Sequence, residues 1–415
     1  MTTSLFPQLP PRSRNRFRAA LIVLLVVLAG FALLRWQAPM IVTTVFALPM
    51  LLLLYVRAID LSLRDALGAT VVGLALGVGW ALLAGPIVAQ AYSDALGGEV
   101  DVGHVLLSGV AIPVSEALLM LVPAVVVRAM NRSGTDPLTG FAVGALGATV
   151  FNAAASMVLL VPQLAMGVIA HGQSATSLLA EAVVEGVAWP VASLATGGIF
   201  GITLWLNISG ATARRRRHTV LAAAMVVLVV VTAMGLVDVA PLGLRTYIAA
   251  QLLIAVLAVV ALRIGITGAL LHQAYDDTES DAQVLCEECG HAVAHTAFCT
   301  DCGVALGAVS VDRRAATYPG VLGLLAAGLA VVVAAGVGAS AWLTPAAKAY
   351  VCPPDCGRPP LGTPVETNPR FSGANGSFSV AYPAEGSAYD VIFDPPGVNG
   401  VEVRYVGGDT GTLWL

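Results

Sequence analysis

Nine long apolar runs follow one another along the 415-residue chain, and each is long enough to cross a lipid bilayer as a helix. Because the bilayer core offers no water to peptide groups, such segments must satisfy their backbone hydrogen bonds internally. The composition agrees, since 57% of the residues are hydrophobic and 11% are charged. The expected fold class is an α-helical polytopic membrane protein. The predicted spans are residues 19–34, 39–56, 66–88, 105–127, 141–168, 178–206, 220–237, 247–270 and 321–343.

Arginines at the ends of these runs indicate the orientation of the chain. A basic tail, residues 1–18, directly precedes the first run, which favours a cytoplasmic N-terminus and a signal anchor over a cleaved signal peptide. If the N-terminus is cytoplasmic, every other arginine cluster also lies on the cytoplasmic side of the membrane. The run at 214–217 is expected to contact anionic lipid there. These clusters are Arg57 with Arg64, Arg128 with Arg132, the run 214–217, and Arg313 with Arg314.

Successive spans cross the membrane in alternating directions, so nine spans that start in the cytoplasm predict an extracytoplasmic C-terminus. Lys348 is the only lysine in the chain, and alanine, valine and glycine are abundant, which is typical of a bacterium of high GC content. The predicted location is therefore a bacterial plasma membrane. The arginines form short clusters beside apolar runs rather than one basic face, so nucleic acid is not expected as a partner.

The stretch CEECGHAVAHTAFCTDCG, between the eighth and ninth runs, is the most specific motif. Its two Cys-x-x-Cys pairs, each followed by glycine, have the spacing of two zinc knuckles. Residues 286–303 resemble the short zinc ribbons of many prokaryotic membrane proteins. A closed set of four thiolates predicts a structural rather than a catalytic Zn²⁺. The predicted ligands are Cys286, Cys289, Cys299 and Cys302.

A pair of disulfides is the alternative for these cysteines, and it would require an oxidising compartment. The alternation of spans instead puts the segment 271–317 in the reducing cytosol. His291 and His295 lie in the spacer between the two pairs. Because four cysteines leave no vacant position on the metal, we expect both to be solvated loop histidines.

After the ninth run, residues 344–415 change to proline, glycine and asparagine with short alternating apolar runs. This pattern predicts an extracytoplasmic β-rich domain. Cys352 and Cys356 would lie on the oxidising side, so a local disulfide is expected between them. The last residues, TLWL, stop inside an apolar run, which predicts a domain that is truncated or unusually small.

Four polar residues within the apolar runs are candidate functional residues. Glu116 is near the centre of the fourth run and Asn152 near the centre of the fifth. Glu181 and Glu185 are four residues apart in the sixth, so a helix places them on one face. An ionisable side chain at this depth costs about 2.5 to 3.5 kcal/mol and usually faces a partner or a cavity.

Residues 111–206 resemble the PrsW-type intramembrane proteases, relatives of the CAAX-processing and bacteriocin-processing membrane enzymes. Those families carry a Glu-Glu pair followed by lysine, a glycine-rich helix ending in Glu-Asn, and a histidine before a Thr-Gly-rich stretch. In this chain the matching positions hold Ser115 and Glu116, Phe151 and Asn152, and Trp189. The other matched positions are Leu119 at the lysine, Gly140, Gly144 and Gly147 on the glycine-rich helix, and Ser193, Thr196 and Gly197 in the last stretch.

Neither phenylalanine nor tryptophan can bind a metal or transfer a proton, so the resemblance implies a relative that has lost catalysis. An active protease would have to use Glu116, Asn152, Glu181 or Glu185. A purely structural role is the competing interpretation, because Gly140 with Gly144 and Gly197 with Gly201 have the spacing that lets helices pack closely. In that case Glu116 and Asn152 would hydrogen-bond across the bundle.

The leading hypothesis is a non-catalytic scaffold or signal relay. It consists of an eight-helix core, residues 19–270, a cytosolic zinc ribbon, a ninth helix at 318–343 and the extracytoplasmic domain. Its expected partners are the lipid bilayer and unidentified proteins on either side of it. A PrsW-like protease is the first alternative. A transporter is the second, favoured by acids within spans and by Pro113, Pro123 and Pro190, although no inverted repeat is evident.

Overall fold

The computed structural model describes residues 5–7, 9, 11–58, 63–97, 102–130, 136–165, 167–169, 174–206, 213–277, 283–286, 289–294, 299, 301, 321–343, 370–372, 379–381, 389–393, 403–407 and 411–414. Cys302, His295 and the predicted disulfide residues Cys352 and Cys356 lie outside these ranges. Within them, nine helices are long and apolar enough to cross a membrane. For the described part of the chain, this confirms the predicted number of spans.

The helices follow the predicted spans except at some ends. The fifth span was predicted as one helix over 141–168, but α6 ends at Leu159 and a short helix, α7, follows. Pro162 accounts for the break, since its ring clashes with the carbonyl four residues earlier and it has no N–H to donate. The helices are α1 (Pro11–Leu33), α2 (Gln37–Ala58), α3 (Leu63–Gly97), α4 (Val102–Leu106), α5 (Ile112–Met130), α6 (Pro137–Leu159), α7 (Val161–Leu164), α8 (Ala175–Val183), α9 (Trp189–Trp205), α10 (Ala213–Val239), α11 (Leu244–Asp277) and α12 (Val321–Leu343).

Two five-residue π-helical segments precede α5 and α9: π1 (Leu107–Ala111) and π2 (Val184–Ala188). Each is closed by a bond to the carbonyl five residues back, from the Ile112 N–H to Leu107 O and from the Trp189 N–H to Val184 O. In both cases a proline comes two residues after the segment ends. A proline ring excludes the carbonyl four residues before it, and the wider π turn accommodates this exclusion.

The chain divides into two compact units. Unit 1 comprises Met1–Ala91 and Val102–Pro345, and unit 2 comprises Tyr92–Asp101 and Ala346–Leu415. The central helix of unit 1 is α6, whose residues from Gly140 to Ala155 are all buried. It packs against α2, α5 and α9.

Glycines allow the backbones of α6 and α9 to touch. A Cβ atom on Gly140 would lie 2.5 Å from the Gly201 carbonyl oxygen, and one on Gly197 would lie 2.5 Å from the Gly144 carbonyl oxygen. These distances are too short for any side chain, so all four positions require glycine, as their spacing predicted. On another face of α6, a Cβ on Gly73 of α3 would lie 2.7 Å from the Gly147 carbonyl oxygen.

The first and last helices of unit 1 are also tied to the bundle. Residues Leu5, Phe6 and Leu9, within the predicted cytosolic tail, are buried in the core, and the Tyr55 hydroxyl donates to the Pro7 carbonyl at 3.0 Å. The ninth span, α12, packs against α2, and its Ser340 hydroxyl donates to the Leu164 carbonyl at 2.8 Å.

The described strands are short and antiparallel. In unit 1, β1 (Gln283–Leu285) pairs with β2 (Ala292–Ala294), with Val284 opposite Val293. In unit 2, two sheets follow: β3 (Arg370–Ser372) with β4 (Ser379–Ala381), and β5 (Tyr389–Phe393) with β6 (Val403–Gly407) and β7 (Gly411–Trp414). Their registers place Phe371 opposite Val380, Val391 opposite Tyr405, and Tyr405 opposite Leu413.

Candidate metal centre and intramembrane acidic cluster

The first cysteine pair sits on a tight turn that begins where β1 ends. The Cys286 N–H donates to the His291 carbonyl at 2.8 Å, and the Gly290 N–H donates to the Cys286 carbonyl at 2.7 Å. Gly290 has a φ of 74°, in the left-handed region that favours glycine. This explains why glycine follows Cys289, as the knuckle pattern requires.

Three of the predicted ligands converge. The sulfur atoms of Cys286, Cys289 and Cys299 all lie within 4.8 Å of one another, and the Sγ atoms of Cys289 and Cys299 are 3.6 Å apart. With metal–sulfur bonds of about 2.3 Å, the sulfurs of a tetrahedral site are about 3.8 Å apart, so the spacing fits a metal. None of the three forms a disulfide. The group can therefore hold a metal ion, although the fourth predicted ligand, Cys302, is outside the described residues.

A second metal-compatible group shares Cys289. The His291 Nδ1 and Asp301 Oδ2 atoms are 3.0 Å apart, and both lie within 4.8 Å of the Cys289 sulfur. The His291 side chain is 68% exposed, as expected for a solvated histidine. Its pairing with Asp301 was not predicted, and it offers the metal an alternative set of ligands.

Within the membrane-spanning part, three carboxylates from different segments interact electrostatically. Glu116 on α5 interacts electrostatically with Asp238 on α10, and Glu185 on π2 interacts with Asp238, Glu181 and Glu116. We call Glu116, Glu185 and Asp238 the acidic cluster. Their oxygens do not converge within 4.8 Å as a metal-ligating group among the described residues, which argues against a shared, directly coordinated divalent ion.

The carboxylate of Asp238 is held by two side chains of α11. The Tyr247 hydroxyl donates to Asp238 Oδ1 at 2.9 Å, and the Gln251 amide Nε2 donates to the same oxygen at 2.5 Å and to the Met234 carbonyl at 3.2 Å. Gln251 is fully buried, whereas Asp238 is exposed at the end of α10. The Gln251 Oε1 atom is buried and has no hydrogen-bond partner.

The remaining intramembrane candidates have separate surroundings. Glu181 hydrogen-bonds Gln163 of α7. Asn152 is buried on α6, but no hydrogen bond between it and Glu116 occurs among the described residues. A direct bond between these two residues, one form that a structural role could take, is therefore absent from the described residues. The sequence pattern did not indicate the electrostatic interaction of Glu116 with Asp238 of α10 and Glu185 of π2.

The positions matched to the PrsW-type catalytic residues are occupied by a packed group around Trp80 of α3. The Trp80 indole N–H donates to the Ser115 hydroxyl at 3.0 Å, and its ring packs against Phe151 with centroids 6.2 Å apart. Trp189 packs elsewhere in the core, against buried residues of α10 and α11. Ser115 and Phe151 thus share contacts with Trp80, whereas Trp189 has separate surroundings.

The two π segments belong to a direct repeat. Residues 109–114 read GVAIPV and residues 186–191 read GVAWPV, and π1 and π2 begin and end at equivalent positions of this alignment. The alignment pairs Glu185 with Ser108 and Glu116 with Ser193. Each copy thus carries one glutamate and one serine, in exchanged positions. The repeat is visible in the sequence but was not predicted, since only the lack of an inverted repeat was noted.

Comparison of the chain with models of protein families, with curated proteins and with solved structures found no match. The likenesses to PrsW-type proteases and to zinc ribbons thus rest on the residues alone. Asp238, Tyr247 and Gln251 were not among the predicted site residues. Asp238 directly follows the seventh predicted run, 220–237, so no sequence signal singled it out.

Proposed function

We propose that this protein is a non-catalytic membrane scaffold or signal relay of the bacterial plasma membrane. A cytosolic zinc-bound segment and an extracytoplasmic β-rich domain would lie on opposite sides of one helical bundle. The observation that carries the proposal is the convergence of three cysteine sulfurs within 4.8 Å, in the segment that joins α11 to α12. Protein partners on either side would bind these two modules.

In this proposal Cys286, Cys289, Cys299 and Cys302 hold Zn²⁺. Thiolates are soft ligands that suit zinc, and a closed set of four leaves no open position for a reacting water. Zinc would therefore stabilise the fold of the segment, which otherwise has only the three-residue strands β1 and β2 and few buried residues.

In this proposal, α12 is the helix that transmits a conformational change from the metal-binding segment across the membrane. It begins after the metal-binding segment, packs against α1 and α2, and leads to the C-terminal region. Its Ser340 hydroxyl donates to the Leu164 carbonyl between α7 and α12, near the other end of the span. A shift of α12 caused on the metal side would therefore reach that contact.

An absence of catalysis is supported by the packing around Trp80. The indole bonded to Ser115 and packed on Phe151 leaves these two positions in contact with an aromatic ring. Activation of water requires polar groups that converge on it. A PrsW-like protease stays the second candidate because Glu116 and Glu185 interact electrostatically across two spans.

Hydrogen exchange on the purified full-length protein tests the relay. We expect removal of metal with a chelator to speed exchange in residues 283–294 and, in addition, in α12 around Ser340. The variant Cys289→Ser should give the same pattern without chelator, and the metal-loaded wild-type protein serves as the control. A change confined to residues 283–301 would contradict the relay and leave only a stabilising role for the metal.

A further inference from the structure

One sulfur atom belongs to two groups of possible metal ligands. The Cys289 sulfur lies within 4.8 Å of the Cys286 and Cys299 sulfurs. It also lies within 4.8 Å of His291 Nδ1 and Asp301 Oδ2. Cys286 and Cys299 are buried and Cys289 is half-buried, whereas the side chains of His291 and Asp301 are 68% and 53% exposed. Cys289 is therefore shared by a buried group of sulfurs and an exposed group that adds a nitrogen and an oxygen.

The cysteine motif itself places the exposed group. The His291 carbonyl accepts from the Cys286 N–H at 2.8 Å, which fixes the backbone of His291 beside the first cysteine pair. Asp301 lies two residues after Cys299, within the second pair. The fold that brings the Cys289 and Cys299 sulfurs to 3.6 Å thus also brings one nitrogen and one oxygen ligand together, one from each half of the motif.

The atoms of the exposed group suit one divalent ion. His291 Nδ1 and Asp301 Oδ2 are 3.0 Å apart, and two such atoms bound to one tetrahedral zinc at about 2.0 to 2.1 Å are about 3.3 Å apart. Without an ion, the imidazole and the carboxylate pair directly at this distance, so binding replaces a proton between them. Thiolate, imidazole and carboxylate are all zinc ligands, and three protein ligands leave a position for water.

Charge favours a second ion beside the first. Four thiolates and one Zn²⁺, as proposed for the cysteine group, leave two negative charges, and the Asp301 carboxylate adds a third. Like charges held this close repel one another, and a bound divalent cation is the largest local charge that can offset them. A second ion reduces the excess from three charges to one. A thiolate bound to one metal ion still has lone pairs, so the Cys289 sulfur can bind both ions.

We propose that Cys289, His291 and Asp301 bind a second, exchangeable divalent ion of the zinc type, which the Cys289 thiolate bridges to the Zn²⁺ of the cysteine group. This inference rests on the zinc of the proposed function, because a bridge needs the first ion. The second ion is exposed and has three protein ligands instead of four, so it binds more weakly and dissociates first. Occupancy of the exposed group thereby follows the free zinc concentration around it.

Metal content at controlled free Zn²⁺ tests the second site on the full-length protein in detergent, purified without a histidine tag. After equilibrium dialysis we expect about two ions per chain at high free Zn²⁺ and about one after dialysis against zinc-free buffer. His291→Ala should keep the first ion and lose the second. His218→Ala is the matched control, because His218 is also exposed but lies near the start of α10, and it should bind as many ions as the wild type.

Two further measurements address the ligands and the bridge. Asp301→Asn still accepts a hydrogen bond from His291 but is a weaker ligand. Loss of a mere outer partner of a metal ligand costs about 10- to 100-fold in affinity, so we expect the dissociation constant of the second ion to rise at least about tenfold. With Co²⁺ in place of Zn²⁺, two ions that share one sulfur couple magnetically. The electron paramagnetic resonance signal per cobalt should therefore fall as the second ion binds.

Other outcomes would overturn the proposal. One ion per chain at every Zn²⁺ concentration, retained in His291→Ala, excludes the second site and leaves the zinc of the proposed function intact. A second ion that His291→Ala does not remove is bound elsewhere, and cobalt signals that add without coupling exclude the bridge. A single ion lost in His291→Ala and retained in Cys286→Ser overturns both the second ion and the zinc of the cysteine group. The wild-type titration with cobalt decides the bridge even if a variant does not fold.

Discussion

Glu116 has two like-charged neighbours, Asp238 and Glu185, and no hydrogen bond to Asn152 within the described residues. A structural glutamate would be expected to hydrogen-bond a partner on another helix, and these electrostatic interactions with other acids differ from that expectation. An acid surrounded by other acids contributes repulsion when it is charged.

The first prediction concerns the substitution Glu116→Gln. The amide keeps the size of the side chain but removes one charge from the cluster, so we expect the free energy of unfolding in detergent to rise by about 0.5 to 1 kcal/mol. Thermal unfolding of the purified protein measures the change. Asp136→Ala is the contrasting variant, because Asp136 caps α6 by accepting from the Leu138 and Thr139 N–H groups, and we expect that variant to lose stability.

A clear loss of stability in Glu116→Gln would show that the carboxylate makes a favourable contact. Loss of substrate cleavage with unchanged stability would instead promote the protease, since an amide cannot act as a general base.

Single residues of the acidic cluster differ in how far the sequence could reveal them. Glu116 and Glu185 stand out because each interrupts an apolar run. Asp238 lies one residue before the end of α10, where an acid at the interface carries little cost, so the pattern gave no reason to select it. The contacts that unite the cluster join residues up to 122 positions apart, from Glu116 to Asp238, and no local pattern encodes them.

At the scale of the helix, the crossing of α6 and α9 was predictable and the π segments were not. Four-residue spacing of glycines predicted close packing, and the Gly140 and Gly201 backbones do touch. Hydropathy recognises apolar length but not the hydrogen-bond pattern inside a helix. The sequence therefore predicted the sixth span while the change to π geometry in π2 went unseen.

The second prediction tests this crossing. Gly144→Ala should destabilise the protein by about 1 to 3 kcal/mol, because the new methyl group would overlap the Gly197 carbonyl oxygen and lie 2.9 Å from the Gly201 Cα. Gly268→Ala on α11 is the matched control, since nothing lies within 4 Å of its Cβ position. Alanine there should leave stability unchanged or raise it by up to about 1 kcal/mol. Thermal unfolding in one detergent compares the two, and equal losses would rule out a backbone contact as the cause.

The third prediction concerns the metal-binding segment. Purified protein should contain about one zinc per chain, and Cys289→Ser or Cys299→Ser should remove it, because zinc contributes about 10 to 16 kcal/mol of binding free energy to a small thiolate site. Elemental analysis measures the content. His291→Ala should retain the zinc if four cysteines bind it. Loss of zinc in His291→Ala with retention in Cys286→Ser would assign the metal to the group of Cys289, His291 and Asp301 instead.

At the scale of the molecule, the nine candidate spans of the described residues and one cysteine-rich segment must agree on a single topology. If these nine are the spans that cross the membrane, the two termini lie on opposite sides of it. The arginine clusters indicate that the N-terminus is cytoplasmic, and the need of thiolates for a reducing compartment indicates the same side for residues 283–301. These arguments are independent, since one depends on arginines and the other on cysteines.

The last prediction tests that topology with reporter fusions to the intact chain. Fusions after Arg217 and after Cys302 should both report a cytoplasmic location, because an even number of spans separates each from the N-terminus, and a fusion after Gly362 should report the outside. A cytoplasmic signal after Gly362 would mean that α12 does not cross the membrane, and the relay would lose its path. An external signal after Cys302 would place the cysteines in an oxidising compartment, where disulfides replace thiolates, and would overturn the zinc assignment together with the orientation.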